Sequence, residues 1–200
     1  MRRVLAFFGA FNPPTVAHVE LARFAMEATG REGVVFVPSK SRYIRGEQGK
    51  DFAYGDRQRL QMLRAAAERR PWMAVSDLEL LEATQPRTYD TLCRLREEGY
   101  EPALLLGSDK LPELEHIWLH VDEIAHEFGF VCMTRGGDEV RRLLREDAYL
   151  SGLAPYIEVI ETPEALRAVS STAVRERLAQ IRALRREIAA LVPGEIVPLL

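Results

Sequence analysis

Cysteine is scarce in this 200-residue chain: Cys93 and Cys132 stand far apart and form no CxxC pair. Two free thiols in a reducing cytosol are the expectation. There is no basic excess either. The formal net charge is −3, which gives general nucleic-acid binding no electrostatic support. No apolar stretch approaches the ~20 residues that a helix needs to cross a bilayer. The run Val4-Leu5-Ala6-Phe7-Phe8 follows Arg2 and Arg3. It is too short and too soon interrupted for a good signal peptide, and it reads as a first strand. Internal repeats, low-complexity linkers and the HEXXH zinc pattern are also missing. No carboxylate cluster looks like a dedicated metal cage. What remains is a cytoplasmic protein with no membrane and no nucleic-acid polymer as partner, folded as one domain over residues 1–200. A hydrophobic content of 47% supplies a full core.

What is present begins with the stretch Gly9 to His18, GAFNPPTVAH. It lies between the first apolar run and a helical pattern over Val19 to Ala28, so it opens a βα unit. Gly9 has no Cβ and lets backbone approach a ligand closely. Pro13 and Pro14 have fixed φ and stiffen the loop. Thr15 reads as an N-cap, which puts His18 in the first helical turn. A His there points back over free amide donors and the positive end of a helix dipole, where an anion is favoured. A protonatable imidazole beside such donors suits phosphate, above all one whose charge grows during reaction. From this stretch alone, a helix start with a surface His is an equal reading.

Further along, Val34-Val35-Phe36-Val37 ends at Pro38 and does not alternate, as expected of a buried parallel strand. The next segment, SKSRYIRGEQGK, reads as a loop. Its cations Lys40, Arg42, Arg45 and Lys50 either close over phosphates or are solvated surface. Asp56 is placed to cap a helix from Arg57 to Glu68. Strands are expected at Met73 to Val75, Ala103 to Leu106, Phe128 to Met133 and Tyr156 to Ile160, and helices between them. Trp72 reads as core. A helix from Thr88 to about Glu98 ends at Gly99. Thr134 to Gly137 is a turn, followed by a helix from Asp138 to Arg145. Strands alternating with helices predict a parallel sheet covered on both faces, an α/β fold.

Val169-Ser170-Ser171-Thr172-Ala173-Val174-Arg175 opens a C-terminal helix that runs to Leu191. Hydroxyls gather at its N-cap, as at any helix start. A cation in the first turn opposes the dipole and typically loses about 0.3–1 kcal/mol. Either Arg175 reaches out to water, or a bound anion reverses that sign by satisfying amides and guanidinium together. Three histidines, His116, His120 and His126, lie close in sequence. His116 and His120 at i,i+4 would share a helical face, a spacing that can bind zinc, but packing beside Trp118 is the simpler reading.

GAFNPPTVAH resembles the signature of the nucleotidylyltransferase superfamily, Gly-x-Phe-x-Pro followed by (His/Thr)-x-Gly-His. Gly9, Phe11, Pro13, Thr15 and His18 match, and Ala17 departs from the usual Gly. VSSTAVR resembles the second motif, Ile-Ser-Ser-Thr-x-(Val/Leu)-Arg. The two occur in the right order, and together they are far more specific than either alone. Over nearly the whole chain the resemblance narrows to the nicotinate (or nicotinamide) mononucleotide adenylyltransferases. Gly107-Ser108-Asp109-Lys110-Leu111 is similar to a segment whose Asp binds the adenylate ribose. Trp118 falls where that family has a Trp near the pyridine ring. Thr88 to Leu92 resembles Tyr-Thr-x-Asp-Thr-Leu, with Arg87 in the place of the Tyr. Asp56-Arg57 stands where the family commonly has His-Arg.

The resemblance implies a Rossmann-like doubly wound parallel sheet of order 3-2-1-4-5, a single domain with C-terminal helices. Nucleotides then bind beside the switch point between strands 1 and 4. It implies adenylyl transfer from ATP, with Mg²⁺ arriving on the ATP, to a pyridine mononucleotide in NAD biosynthesis. His18, Thr15 and Arg175 are the implied catalytic residues. Gly9, Ala10, Phe11, Gly107, Asp109, Ser170, Ser171 and Thr172 join His18 and Arg175 around ATP. Lys40, Arg45, Arg87, Thr88 and Trp118 are the implied acceptor side. No protein-held metal site is implied, and a homo-oligomer is compatible with the reading. Two rivals stay open: an adenylyltransferase for another acceptor such as phosphopantetheine, and a nucleotide-binding relative without catalysis.

Overall fold

The computed structural model describes residues 1–46, 54–134, 137–164 and 171–190. The first apolar run forms β1 (Arg2–Gly9), followed by α1 (Val16–Ala28), β2 (Gly33–Pro38), α2 (Ser41–Gly46), α3 (Asp56–Ala67) and β3 (Met73–Val75). Then come α4 (Leu78–Leu81), α5 (Thr88–Glu97), β4 (Tyr100–Gly107), a 3₁₀ segment (Ser108–Glu113), α6 (Val121–Glu127) and β5 (Phe130–Thr134). The chain continues through α7 (Gly137–Glu146), α8 (Ala148–Leu153), a 3₁₀ turn (Ala154–Tyr156), β6 (Ile157–Glu161) and α9 (Ser171–Ala190).

All six strands pair in parallel, in the order β3-β2-β1-β4-β5-β6. This is the expected order with a sixth strand added at the far edge. Successive side chains of a strand point to opposite faces, and the core divides accordingly. Val4, Ala6, Val35, Val37, Leu104 and Leu106 pack on one face with Leu92 and Leu95 of α5 and Ile124 of α6. Leu5, Val34, Phe36 and Leu105 pack on the other with Ala22 and Ala25 of α1 and Leu63 of α3. Trp72 is partly buried against that second cluster. Two covered faces explain why the strands read as continuous apolar runs.

Phe7 of β1 stands opposite Leu105 of β4. After β1 the chain turns to the α1 face, and after β4 it turns to the α6 face. The crevice between these two departures is where open α/β sheets bind ligands. Among the described residues no helix is long and apolar enough to cross a membrane.

Several local expectations change. Gly55, not Asp56, occupies the cap of α3, and the Gln58 side chain accepts from the Gly55 N–H at 3.2 Å. Asp56 is left to bond Ser41. Part of the expected loop after β2 is helical as α2, while Lys50 lies outside the described residues. The polar run before α5 is preceded by the short helix α4. β5 and β6 begin one or two residues later than the sequence suggested. His116 and His120 do not share a helix. Residues 114–117 form turns, and His120 adopts φ 60° ahead of α6. Both cysteines are free. Arg135, Gly136, Val169, Ser170 and Leu191 lie outside the described residues.

Candidate active site

The loop after β1 is built around one close approach. Phe11 has φ 44° and is buried, its ring edge-on to Phe7 and His18 at centroid distances of 5.3 and 5.2 Å. A Cβ on Gly9 would lie 3.1 Å from the Phe11 ring, so glycine is what lets the loop fold back on its strand. Phe11 is thus a core residue. Asn12 is buried, precedes the cis peptide to Pro13, and accepts from the Tyr54 N–H at 3.2 Å through Oδ1.

Thr15 and His18 form a capping box at the start of α1. The Thr15 N–H donates to Nδ1 of His18 at 2.9 Å, and the Thr15 hydroxyl lies 2.8 Å from the same nitrogen. Since a backbone N–H only donates, Nδ1 carries a lone pair and the neutral ring holds its proton on Nε2. Burial pushes the imidazole down to about 4. The protonatable imidazole expected from the sequence is therefore uncharged near neutral pH, and His18 offers a neutral Nε2–H donor. Helix geometry leaves the first N–H groups of α1 without intrahelical acceptors, so donor and dipole act together on an anion. Ala17, where the resemblance has Gly, is buried in this turn.

Arg59 was not singled out by the sequence, yet it braces the whole loop. It is 0% exposed. Its guanidinium donates to the carbonyl of Ala10, to the carbonyl of Ser39 at 2.5 Å, to Ser41 Oγ at 3.2 Å and to Asp56 at 2.5 Å. The loops leaving β1 and β2 are therefore held by one planar cation, which suits several fixed acceptors at once. Burial lowers its pKa and the Asp56 partner opposes that effect. Arg57, the neighbour that the resemblance pointed to, has no such place. The signal available was an Arg on the apolar side of an amphipathic helix, four residues before Leu63.

The second motif reaches the first. Arg175 in α9 donates from Nη1 to the carbonyl of Asn12 at 2.8 Å and from Nη2 to Thr172 Oγ1 at 3.0 Å. The two helix beginnings, α1 and α9, thus meet at one loop. Ser171 begins α9. Across the crevice, Gly107 ends β4. A Cβ there would lie 2.5 Å from Asp109 Oδ1, so glycine makes room for that carboxylate, whose side chain is 73% exposed.

On the acceptor side the predicted residues part company. Arg87 is exposed at the cap of α5, and Thr88 is the first residue of that helix. Trp118 is partly buried against the α5–α6 side of the core. Arg45 is exposed in α2. Lys40 does not point to open space: its Nζ donates to the carbonyls of Glu79 at 3.4 Å, Leu80 at 2.8 Å and Glu82. Beside it lies a second buried group that the sequence did not reveal, Glu79, 1% exposed and pushed up to about 7 by burial.

A family model described as Cytidylyltransferase-like matches residues 6–177, and the chain belongs to that nucleotidyltransferase family. Within that class it is a relative of the nicotinate-nucleotide adenylyltransferases. A probable nicotinate-nucleotide adenylyltransferase of Exiguobacterium sibiricum is 30% identical over 180 residues, covering 88% of this chain and 86% of that protein. One of Carboxydothermus hydrogenoformans is 28% identical over 196 residues, covering 95% and 90%. Among solved structures, the Plasmodium falciparum nicotinic acid mononucleotide adenylyltransferase complexed with NaAD superposes with a TM-score of 0.65 at 19% identity. That match covers 88% of this chain and 83% of that one, and it is a likeness of fold.

Proposed function

We propose that this protein joins the AMP moiety of ATP to nicotinate mononucleotide and releases pyrophosphate, a step of NAD biosynthesis. The 5′-phosphate of the mononucleotide attacks the α-phosphorus, a new P–O bond forms, and the bond to the β-phosphate oxygen breaks. The attacking phosphate is already anionic at neutral pH, so no general base is needed. Catalysis is positioning plus charge stabilisation. In this reading the Nε2–H of His18 donates to an α-phosphate oxygen as charge develops there. The backbone from Gly9 to Phe11 and Thr15 hold the phosphates, and Ser170, Ser171, Thr172 and Arg175 take the β- and γ-phosphates. Asp109 receives the ribose hydroxyls.

Mg²⁺ enters as part of its ATP complex. When bound, it would neutralise charge on the phosphates and ease the departure of pyrophosphate. Arg87 and the N-terminus of α5 favour an anionic ring substituent, which argues for nicotinate over nicotinamide. Trp118 offers an aromatic face to the pyridine.

The observation that carries this reading is the Arg175 contact to Asn12, because it brings two remote phosphate-type motifs to one place. The test is pyrophosphate release from ATP and Mg²⁺ with nicotinate mononucleotide, nicotinamide mononucleotide or phosphopantetheine in parallel. Turnover with nicotinate mononucleotide is expected, and His18→Ala should lower kcat about 10²–10³-fold, as for loss of a transition-state donor. Turnover with phosphopantetheine alone, or ATP binding without turnover on any acceptor, overturns the proposal.

A further inference from the structure

Glu79 is an unexpected residue to find inside this protein. It sits in α4, a helix of only four residues, at 1% exposure. Burying a carboxyl is costly, and an apolar side chain of similar size would serve stability as well or better. What a carboxylate offers instead is several acceptor positions in one rigid group. Three segments use them. Gln85 donates from Nε2 at 2.5 Å, Thr91 of α5 donates from its hydroxyl at 3.3 Å, and the Ser39 side chain donates from the loop after β2. Gln85 is itself oriented, since its Oε1 accepts the Lys40 N–H at 2.9 Å. The Lys40 ammonium, the charged group facing Glu79, is held by the carbonyls of Glu79, Leu80 and Glu82.

The segment between α4 and α5 has no regular structure of its own: residues 82–84 bend and 85–87 are extended or irregular. It is fixed at one end by Glu82 on Arg94 at 2.5 Å, a half-buried pair, and in its middle by Gln85 on Glu79. It delivers Arg87 and Thr88 to the start of α5. Backbone bonding reaches it at Arg87, whose carbonyl accepts the Thr91 N–H at 3.2 Å, so ahead of that point these side chains set its course.

We propose that Glu79 is a positioning residue for the acceptor: through Gln85 it sets where residues 85–88 stand, and so shapes the mononucleotide side of the crevice without touching substrate. This rests on the adenylyltransferase reading above. Wild-type turnover with nicotinate mononucleotide is therefore measured first, and its absence defeats that reading rather than this one. The assays are run at about pH 8, where Glu79 is ionised, and there Glu79→Gln turns an acceptor-only group into one that also donates, toward partners that already donate. The expected result is an acceptor KM raised about tenfold, as for loss of a hydrogen bond to a charged group, with kcat and the KM for ATP within about twofold. Gln85→Ala, a half-buried loop position, should do the same. It also keeps the test open should Glu79→Gln fold poorly. The double variant should be no worse than the poorer single, because both remove one linkage. Effects that multiply in the double variant overturn the proposal. So does a rise in the ATP KM equal to that for the acceptor, or an acceptor KM that neither substitution moves.

Discussion

Replacing Glu79 with Gln should also uncover an acid lability that the wild-type protein conceals. Two half-hidden titrations oppose each other in this fold. Burial pushes His18 from an ordinary 6.5 down to about 4. As the pH falls below 6.5 the unfolded chain gains a proton that the native ring refuses. The stability contributed by a neutral His18 is therefore present above 6.5 and lost as pH falls toward 4. Burial pushes Glu79 the other way, from 4.5 up to about 7. Here the native carboxyl keeps a proton that the unfolded chain releases. Its contribution is present below 4.5 and lost as pH rises through 7. Each tenfold difference in proton affinity is about 1.4 kcal/mol, so each group is linked to about 3 kcal/mol across its window. His18 keeps a partly exposed edge, which trims its share. Between about 4.5 and 6.5 the two slopes nearly cancel. Glu79→Gln removes one of them, and its unfolding free energy should fall by about 3 kcal/mol relative to wild type on acidification from 7 to 4.5. His18→Gln keeps the capping box, since Gln serves at that position, and should shift the profile in the opposite sense. Urea unfolding at a series of pH values reads this directly. With an m-value of about 1–3 kcal/mol/M, the midpoint moves by about 1–3 M. Profiles of both variants that run parallel to wild type would refute the reasoning.

Arg59→Met leaves the carbonyls of Ala10 and Ser39 without their shared donor. Breaking a buried pair costs about 3–5 kcal/mol, or roughly 6–20 °C in Tm for a chain of this size. Scanning calorimetry should show it, and a loss below about 2 °C would mean that the loops find other donors. Arg175→Ala should weaken binding of a non-hydrolysable ATP analogue by about 10–100-fold, as for loss of a charge-assisted contact to phosphate. Titration calorimetry that finds unchanged affinity would leave Arg175 as a strut for Asn12 alone.

The sheet could be read in the sequence because its strands are buried on both faces, and continuous apolar runs such as Val34 to Val37 carry that signature directly. The capping box could be read in part: Thr15 was expected at the cap, but the ring charge of His18 was not, because protonation depends on burial and on which nitrogen meets the Thr15 N–H. Arg59 and Glu79 were hidden for a common reason. In DRQRLQML and DLELLE a charged residue among other charged residues looks solvated. Only the tertiary arrangement shows which one of them turns inward to meet distant carbonyls or amides. The strand order came from resemblance, since neighbours such as β1 and β4 are joined by contacts that no local pattern encodes. Lys40 illustrates the same limit: its charge was visible, and the three carbonyls that hold it were not.

The Arg175 contact to Asn12 spans 163 positions of the chain. A ribosome releases the β1 loop well before α9, so for much of synthesis the nascent protein carries Thr15 and His18 without the guanidinium that meets Asn12. Under the proposed adenylyl transfer, grip on a triphosphate waits for α9 to dock, and growing chains are poor competitors for cellular ATP until it does.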